Sequence, residues 1–127
     1  MSLFLYFILI LNIKKSNINK LKDYKNFMTL IYITCKDKNE AKKIATHLLK
    51  KRLIACANIF PIRSMYWWKN NIVNDNENLI IAKTNNKNFN KVAAEVKKMH
   101  SYKIPCILKI NAKANKEYET WANKEMR

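Results

Sequence analysis

Histidine and cysteine side chains that could bind a metal ion lie near the end of the sequence, in the stretch MHSYKIPCIL. His100 precedes Cys106 by six residues, and Cys35 ends an apolar segment much earlier in the chain. Thiolate and imidazole ligands favour soft ions, so a site built from these groups would bind copper(I) or zinc rather than magnesium or calcium. The three cysteines of the chain form no CxxC pair, which argues against both a disulfide framework and a closed zinc site.

Two other interpretations of this stretch stay open. His100 lies near the end of a predicted helix, where the helix dipole favours a cation in a capping or interface role. Cys106 and His100 could also form a nucleophile and base pair. However, the sequence contains no glycine, and therefore neither a nucleophile elbow nor a glycine-rich phosphate loop. We therefore expect a protein that is not an enzyme.

The elements that must position these residues alternate between strands and helices. The segment Met28–Cys35 is rich in β-branched and aromatic residues, which predicts a buried strand. Asp37 and Glu40 then have the spacing of a capping box. Two helices are predicted from apolar residues at helical spacing. The apolar face of the first consists of Ala41, Ile44, Ala45, Leu48 and Leu49. The second should be capped by Asn86 or Asn88, and its apolar face consists of Phe89, Val92, Ala93, Val96 and Met99.

A long hairpin is predicted between the two helices. Its first strand, over residues 53–60, should stop or bend at Pro61 and continue as the aromatic segment SMYWWKN. The polar segment KNNIVNDNEN predicts the turn, and LIIAKT at residues 79–84 the returning strand. A last strand, CILKINA, follows Pro105, and Asn115 should cap a short C-terminal helix.

The element order β-α-β-β-α-β plus a terminal helix predicts an α+β, ferredoxin-like sandwich. The first and last strands of this fold are antiparallel neighbours, which would bring Cys35, His100 and Cys106 together as a metal site at one end of the sheet. One sheet face would stay uncovered by helices although its strands are apolar. We therefore expect this face and the hairpin to pack against neighbouring subunits.

Residues 1–27 differ in character from the domain expected over residues 28–127. The run LFLYFILIL is too short for a stable membrane span, and the segment after it is basic and almost free of acids, which is typical of a targeting extension. An organelle and the cytoplasm both remain possible locations. The net charge of +16 would favour nucleic acid, but only three of the 25 basic residues are arginines and the lysines lie in every segment, so nucleic-acid binding is not expected.

Several blocks in order resemble the CutA divalent-cation-tolerance family over about residues 29–127: EAKKIATHLLKKRLIACANI, RSMYWWKN, ENLIIAKT, HSYKIP and YETW. The resemblance implies a homotrimer with hairpin strands that complete sheets across subunits, and a role in tolerance of copper or another divalent metal ion. It also implies clefts between subunits lined by Tyr66, Trp68, Glu77, Lys83 and Tyr102. The alternative is a structural or signalling trimer, similar to PII proteins, that binds a small anionic ligand in these clefts. The chain departs from the family at Cys106, where a glutamate is usual, and after Trp68, where the turn glycine is missing.

Overall fold

The computed structural model describes residues 2–25 and 28–126, which form four strands and four α-helices. The strands are β1 (Met28–Cys35), β2 (Cys56–Trp68), β3 (Asn71–Asn85) and β4 (Ile107–Ala112). The helices are α1 (Leu3–Lys25), α2 (Lys38–Lys50), α3 (Phe89–Met99) and α4 (Lys116–Glu125), and a 3-10 turn, Asn86–Asn88, leads into α3. From β1 onward the predicted order of elements is confirmed.

The four strands form one antiparallel sheet in the order β2-β3-β1-β4. Strand β1 is central, and its Thr29 lies opposite Thr84 of β3 and Asn111 of β4. This order, with helices in the two connections between strands β1 and β2 and strands β3 and β4, is the ferredoxin-like arrangement. The predicted pairing of the first and last strands is also confirmed.

Helix α2 begins where the capping residues predict. The Asp37 side chain accepts a hydrogen bond of 2.8 Å from the Glu40 backbone N–H, which satisfies one of the free amide groups at the helix start. The apolar residues Ala41, Ile44, Ala45 and Leu48 are buried against the sheet. The predicted fifth member, Leu49, is 40% exposed, because it lies at the edge of the apolar stripe.

The hairpin differs from its prediction in where the chain turns. Strand β2 begins at Cys56 and runs through Pro61 without a break, which an edge strand tolerates because its outer N–H groups need no partner. The chain reverses at Lys69 and Asn70 alone, with φ values of 47° and 63°. Such a two-residue turn requires left-handed backbone at both positions, and asparagine adopts it readily. The segment predicted as a polar turn is therefore mostly strand, and its residues 71–76 are exposed or partly exposed on both faces, which suits their polar character.

Helices α3 and α4 begin after asparagines whose side chains do not cap them. Asn88 is the residue before α3, as predicted, but its side chain makes no capping hydrogen bond. Asn85 caps the 3-10 turn before α3, since its side chain accepts a hydrogen bond of 3.0 Å from the Asn88 backbone N–H. The Asn88 side chain instead donates to the Leu53 carbonyl at 3.1 Å. Asn115 is the residue before α4, as predicted, but its side chain makes no capping hydrogen bond.

The two faces of the sheet have different surroundings. Ile31, Ile33 and Ile80 point toward α2 and α3 and are fully buried in the core. Alternate residues must point to the opposite face, called here the open face. The register places on the open face, in rows across the sheet, Leu30, Tyr32, Phe60, Ile81, Leu108 and Ile110. Leu108 and Ile110 are 52% and 45% exposed, so the chain leaves apolar surface in contact with water.

Helix α1 precedes the sheet domain. Its first half consists of the apolar run 3–11, whose side chains are exposed with Ile10 partly so, and its second half is basic. Among the residues that the structure describes, no helix is both long and apolar enough to cross a membrane.

Candidate functional site

Three potential metal ligands meet at the end of β1. Cys35 is the last residue of β1, Glu40 lies in the first turn of α2, and His100 follows the last residue of α3. Their ligand atoms all lie within 4.8 Å of one another. The three residues are called the Cys35 cluster below. Cys35 and the His100 side chain are fully buried, and the Glu40 side chain is only 8% exposed, so the cluster is shielded from water.

Hydrogen bonds already occupy both nitrogens of the His100 ring. Nδ1 accepts from the Tyr102 backbone N–H at 3.1 Å, so the ring proton is on Nε2, which donates to the Thr34 carbonyl at 2.7 Å. Glu40 Oε1 lies 3.6 Å from the same Nε2 atom. His100 therefore ties the end of α3 to the end of β1, which is a structural role as well as a potential ligand position.

The Glu40 side chain bridges two chain segments. Its Oε1 accepts from the Lys36 backbone N–H and its Oε2 from the Ser101 backbone N–H, each at 3.3 Å. These bonds hold the start of α2 against the loop that follows α3. The Asp37-x-x-Glu40 spacing indicated a capping box, in which the glutamate reaches back toward the helix start, but it did not indicate that the second oxygen reaches a residue 61 positions away.

Cys35 is held in the thiol form. Burial, and then the negative charges of Glu40, Glu77 and Asp37, raise the pKa of the Cys35 thiol to about 12. A thiolate at this position therefore needs a cation beside it. A bound metal ion would supply that charge, since coordination deprotonates a thiol.

Cys106 lies outside this group of three. It lines a neighbouring cavity of about 860 Å³ between the β2–β3 hairpin and the loop after His100, called here the hairpin cavity. Burial, and then the charge of Glu77, raise the pKa of Cys106. The structure thus brings together two members of the predicted metal set, Cys35 and His100, and adds Glu40, which the sequence interpretation had assigned to the helix cap alone.

The hairpin cavity contains most of the predicted cleft residues. Tyr66, Trp68, Glu77 and Tyr102 all line it. Glu77 is 5% exposed, and its carboxylate accepts a hydrogen bond of 2.8 Å from the Tyr102 hydroxyl. Desolvation, and then this hydrogen bond, raise the pKa of Tyr102. Two cationic side chains, those of Arg63 and Lys103, belong to the same lining.

A second tyrosine–carboxylate pair lies on the hairpin beside the first. The Tyr66 hydroxyl donates to Asp75 at 2.9 Å, and this bond is the main reason that the pKa of Tyr66 is raised. Both tyrosines therefore keep their protons and act as donors toward carboxylates. The lining of the cavity offers aromatic surface, the fixed carboxylate of Glu77 and two cations, which together are able to orient a small polar molecule.

Lys83 lies apart from the other cleft residues. It is on β3, six residues beyond Glu77, which corresponds to about 20 Å along an extended strand. It lines a smaller pocket of about 300 Å³, and its Nζ lies 5.4 Å from the centre of the Tyr118 ring. A cation over an aromatic ring is attracted to it, so Lys83 stabilises the docking of α4 within the same chain.

A four-stranded antiparallel sheet of this order, with two helices on one face, defines the class of ferredoxin-like α+β domains. The family model "CutA1 divalent ion tolerance protein" matches residues 29–125. The chain belongs to this family. It is 47% identical over 92 residues to the divalent-cation tolerance protein CutA of Archaeoglobus fulgidus, covering 72% of this chain and 90% of that protein. It is 41% identical over 95 residues to the Thermotoga maritima protein of the same name, covering 74% and 94%.

Solved structures agree with this assignment. The structure described as the periplasmic divalent cation tolerance protein CutA from Archaeoglobus fulgidus superposes with a TM-score of 0.77 at 42% identity and covers 79% of this chain and 99% of that one. CutA1 from Oryza sativa gives a TM-score of 0.78 at 30% identity, covering 82% and 97%. The matched family segment begins after α1, so the family resemblance concerns the sheet domain.

Proposed function

We propose that the sheet domain is a homotrimeric divalent-cation-tolerance protein without enzymatic activity. The proposed homotrimer is supported mainly by the open face of the sheet, where apolar residues of all four strands are in contact with water. Burying such a surface is the main driving force for subunit association. The number of subunits follows the family resemblance, in which hairpins complete sheets across a trimer.

The absence of enzymatic activity is supported by the state of the nucleophile candidates. Burial raises the pKa of both Cys35 and Cys106, whereas a catalytic cysteine needs a lowered pKa. His100 cannot accept a proton from either thiol without breaking a backbone hydrogen bond. The pair that the sequence left open as nucleophile and base therefore lacks the activation that such chemistry requires.

The assembly is tested by the mass in solution. We expect three times the chain mass of 15.1 kDa at micromolar concentration. The double variant Leu108→Lys, Ile110→Lys should dissociate the trimer, because it introduces charge into the open face. Leu49→Lys is the matched control, since Leu49 is similarly exposed but lies on α2, and it should leave the mass unchanged. A monomeric wild type would contradict the proposal.

For the metal we propose the Cys35 cluster as the binding site, with copper or zinc as its ion. Cys35 would supply a thiolate, Glu40 a carboxylate oxygen and His100 an imidazole nitrogen, a mixed set that suits soft and borderline ions. The donors fit in kind and in spacing. Binding requires that Cys35 lose its proton and that His100 give up one backbone bond, so we expect metal binding to loosen the junction between β1 and α3.

Metal binding is tested by titrating copper and zinc into protein purified without chelators. Wild type should bind one ion per subunit, and Cys35→Ser and His100→Gln should each weaken binding at least about tenfold. Cys106→Ser tests the remaining member of the predicted set, and Cys56→Ser serves as the control for loss of a thiol. A thiolate-to-metal absorption band present in wild type and missing from Cys35→Ser would identify the ligand. Equal affinity for wild type and Cys35→Ser would exclude this site.

A second candidate function is the binding of a small anionic ligand in the hairpin cavity. The specific observation is its volume of about 860 Å³ together with Arg63 and Lys103 in its lining. An anion held there would contact these cations, while Tyr102 keeps the buried Glu77 carboxylate paired. Arg63→Gln should weaken the binding of such an anion, and Lys83→Gln, outside the cavity, should not. Metal-binding variants of Cys35 would leave this binding intact.

A further inference from the structure

Helix α1 has its apolar and charged residues separated along its length. Residues 3–11 are apolar on every side, and Leu3, Phe4 and Phe7 are 89%, 74% and 65% exposed. Lys14 and Lys15 follow at once and are also exposed. The sequence then adds lysines at 20, 22 and 25, with a single acid, Asp23, in residues 1–27. An exposed helix that is apolar all round is unstable in water, so this half needs an apolar environment.

We propose that α1 docks the protein on an anionic lipid surface, with residues 3–11 in the acyl region of one leaflet and the lysines among the headgroups. Nine helical residues are about 14 Å long, which is roughly half of the 30 Å hydrocarbon core of a bilayer. This length matches the depth of one leaflet and agrees with the finding that no described helix is suited to cross the membrane.

Local hydrogen bonds make the helix start compatible with such an environment. The Ser2 hydroxyl accepts from the Leu5 backbone N–H at 3.2 Å, and the Ser2 carbonyl accepts from the Tyr6 backbone N–H at 3.1 Å. The Tyr6 bond is the first regular bond of the helix, and the Ser2 hydroxyl satisfies the Leu5 amide, which would otherwise be left free; this lowers the cost of placing this end in lipid.

Charge complementarity decides between lipid and the other possible occupants. A second copy of α1 packed in parallel would bring its own lysines beside Lys14 and Lys15, and like charges repel. A protein partner with an apolar groove would not require the lysines that follow the apolar run. An anionic bilayer would bury the apolar run in its acyl region and attract the lysines to its headgroups. Each lysine near such a surface strengthens binding about fivefold.

The test is co-sedimentation of the full chain with vesicles of phosphatidylcholine containing 30% phosphatidylglycerol. We expect binding to these vesicles, much weaker binding to pure phosphatidylcholine, and a decrease on raising the salt from 0.1 to 0.5 M. Lys14→Gln with Lys15→Gln should weaken binding about 25-fold, as two fivefold factors multiply. Phe4→Ser with Phe7→Ser should weaken it at least about 100-fold, because two large apolar side chains lose their burial.

The matched control is Lys42→Gln with Lys43→Gln on the exposed side of α2, which makes the same charge change outside α1. It should leave vesicle binding within about twofold of wild type. An equal loss in this control would show that the net charge of +16 attracts the vesicles, and would overturn the proposal. Cross-linking between copies of α1 without vesicles would overturn it in favour of self-association. Protein recovered from its native cells without residues 3–11 would also overturn it, by showing that the segment is removed.

Discussion

Two threonines that face each other across the sheet should respond in opposite directions to the same substitution. Thr29 of β1 lies directly opposite Thr84 of β3, and both are fully buried on the helix side of the sheet. The Thr84 hydroxyl donates to the Leu53 carbonyl at 2.7 Å. Among the described residues, the Thr29 hydroxyl has no hydrogen-bond partner. Valine has nearly the same shape as threonine and removes only the hydroxyl.

The expected magnitudes follow from these partners. Thr84→Val loses one buried hydrogen bond, although the Leu53 carbonyl keeps its second donor, Asn88, so the free energy of unfolding should fall by about 1 kcal/mol. Thr29→Val removes an unpaired buried hydroxyl and adds apolar contact, so the free energy of unfolding should rise by about 1 kcal/mol. For a domain of this size each change corresponds to a shift in Tm of about 4–8 °C, with opposite signs.

The assay is denaturant and thermal unfolding of both variants at one protein concentration, because the stability of an oligomer depends on concentration. Thr120→Val is the control: its hydroxyl lies exposed on α4, and the change should stay within about 0.5 kcal/mol. If Thr29→Val destabilised the protein as much as Thr84→Val does, the Thr29 hydroxyl would have a partner after all, and the interpretation of this buried pair would be wrong.

Three further predictions concern acid stability, the hairpin turn and thiol reactivity. Nε2 of His47 lies 2.8 Å from Oε2 of Glu95, and this contact, followed by that of Lys98, lowers the pKa of Glu95 from 4.5 to about 2. The contribution of ionised Glu95 to the free energy of unfolding is therefore complete above pH 4.5 and is lost as the pH falls toward 2. Acid titration of Glu95→Gln should therefore show a smaller loss of stability over that range. Lys69→Gly should raise the free energy of unfolding, measured in urea, by about 1 kcal/mol, because Lys69 has a left-handed φ of 47° that glycine adopts without strain. The control is Lys42→Gly inside α2, which should lower the free energy of unfolding by about 1 kcal/mol. Iodoacetamide at pH 8 should leave Cys35 unmodified in the folded protein, since its thiol is buried with a pKa of about 12, and rapid labelling detected by mass spectrometry would contradict the described environment.

The candidate site was predictable only to the extent that it depends on topology. Pairing of the first and last strands correctly placed Cys35 and His100 at the same end of the sheet. The contribution of Glu40 was missed, because a capping-box glutamate is explained locally and nothing in its spacing reveals a contact with Ser101. Lys83 shares a strand with Glu77 but points into a different pocket, which depends on the docking of α4 against that strand.

The sequence by itself determined the order of strands and helices from β1 onward, the fold class and the family, because these follow from apolar periodicity and from motifs read along the chain. It also located the start of α2, since capping is a contact between residues three positions apart. Only the tertiary structure decided where the hairpin turns, since polar residues 71–78 gain their strand conformation from pairing with β2. The tertiary structure likewise separated Cys106 from Cys35 and His100 and paired Glu77 with Tyr102, because these distances depend on how a loop packs between elements far apart in sequence.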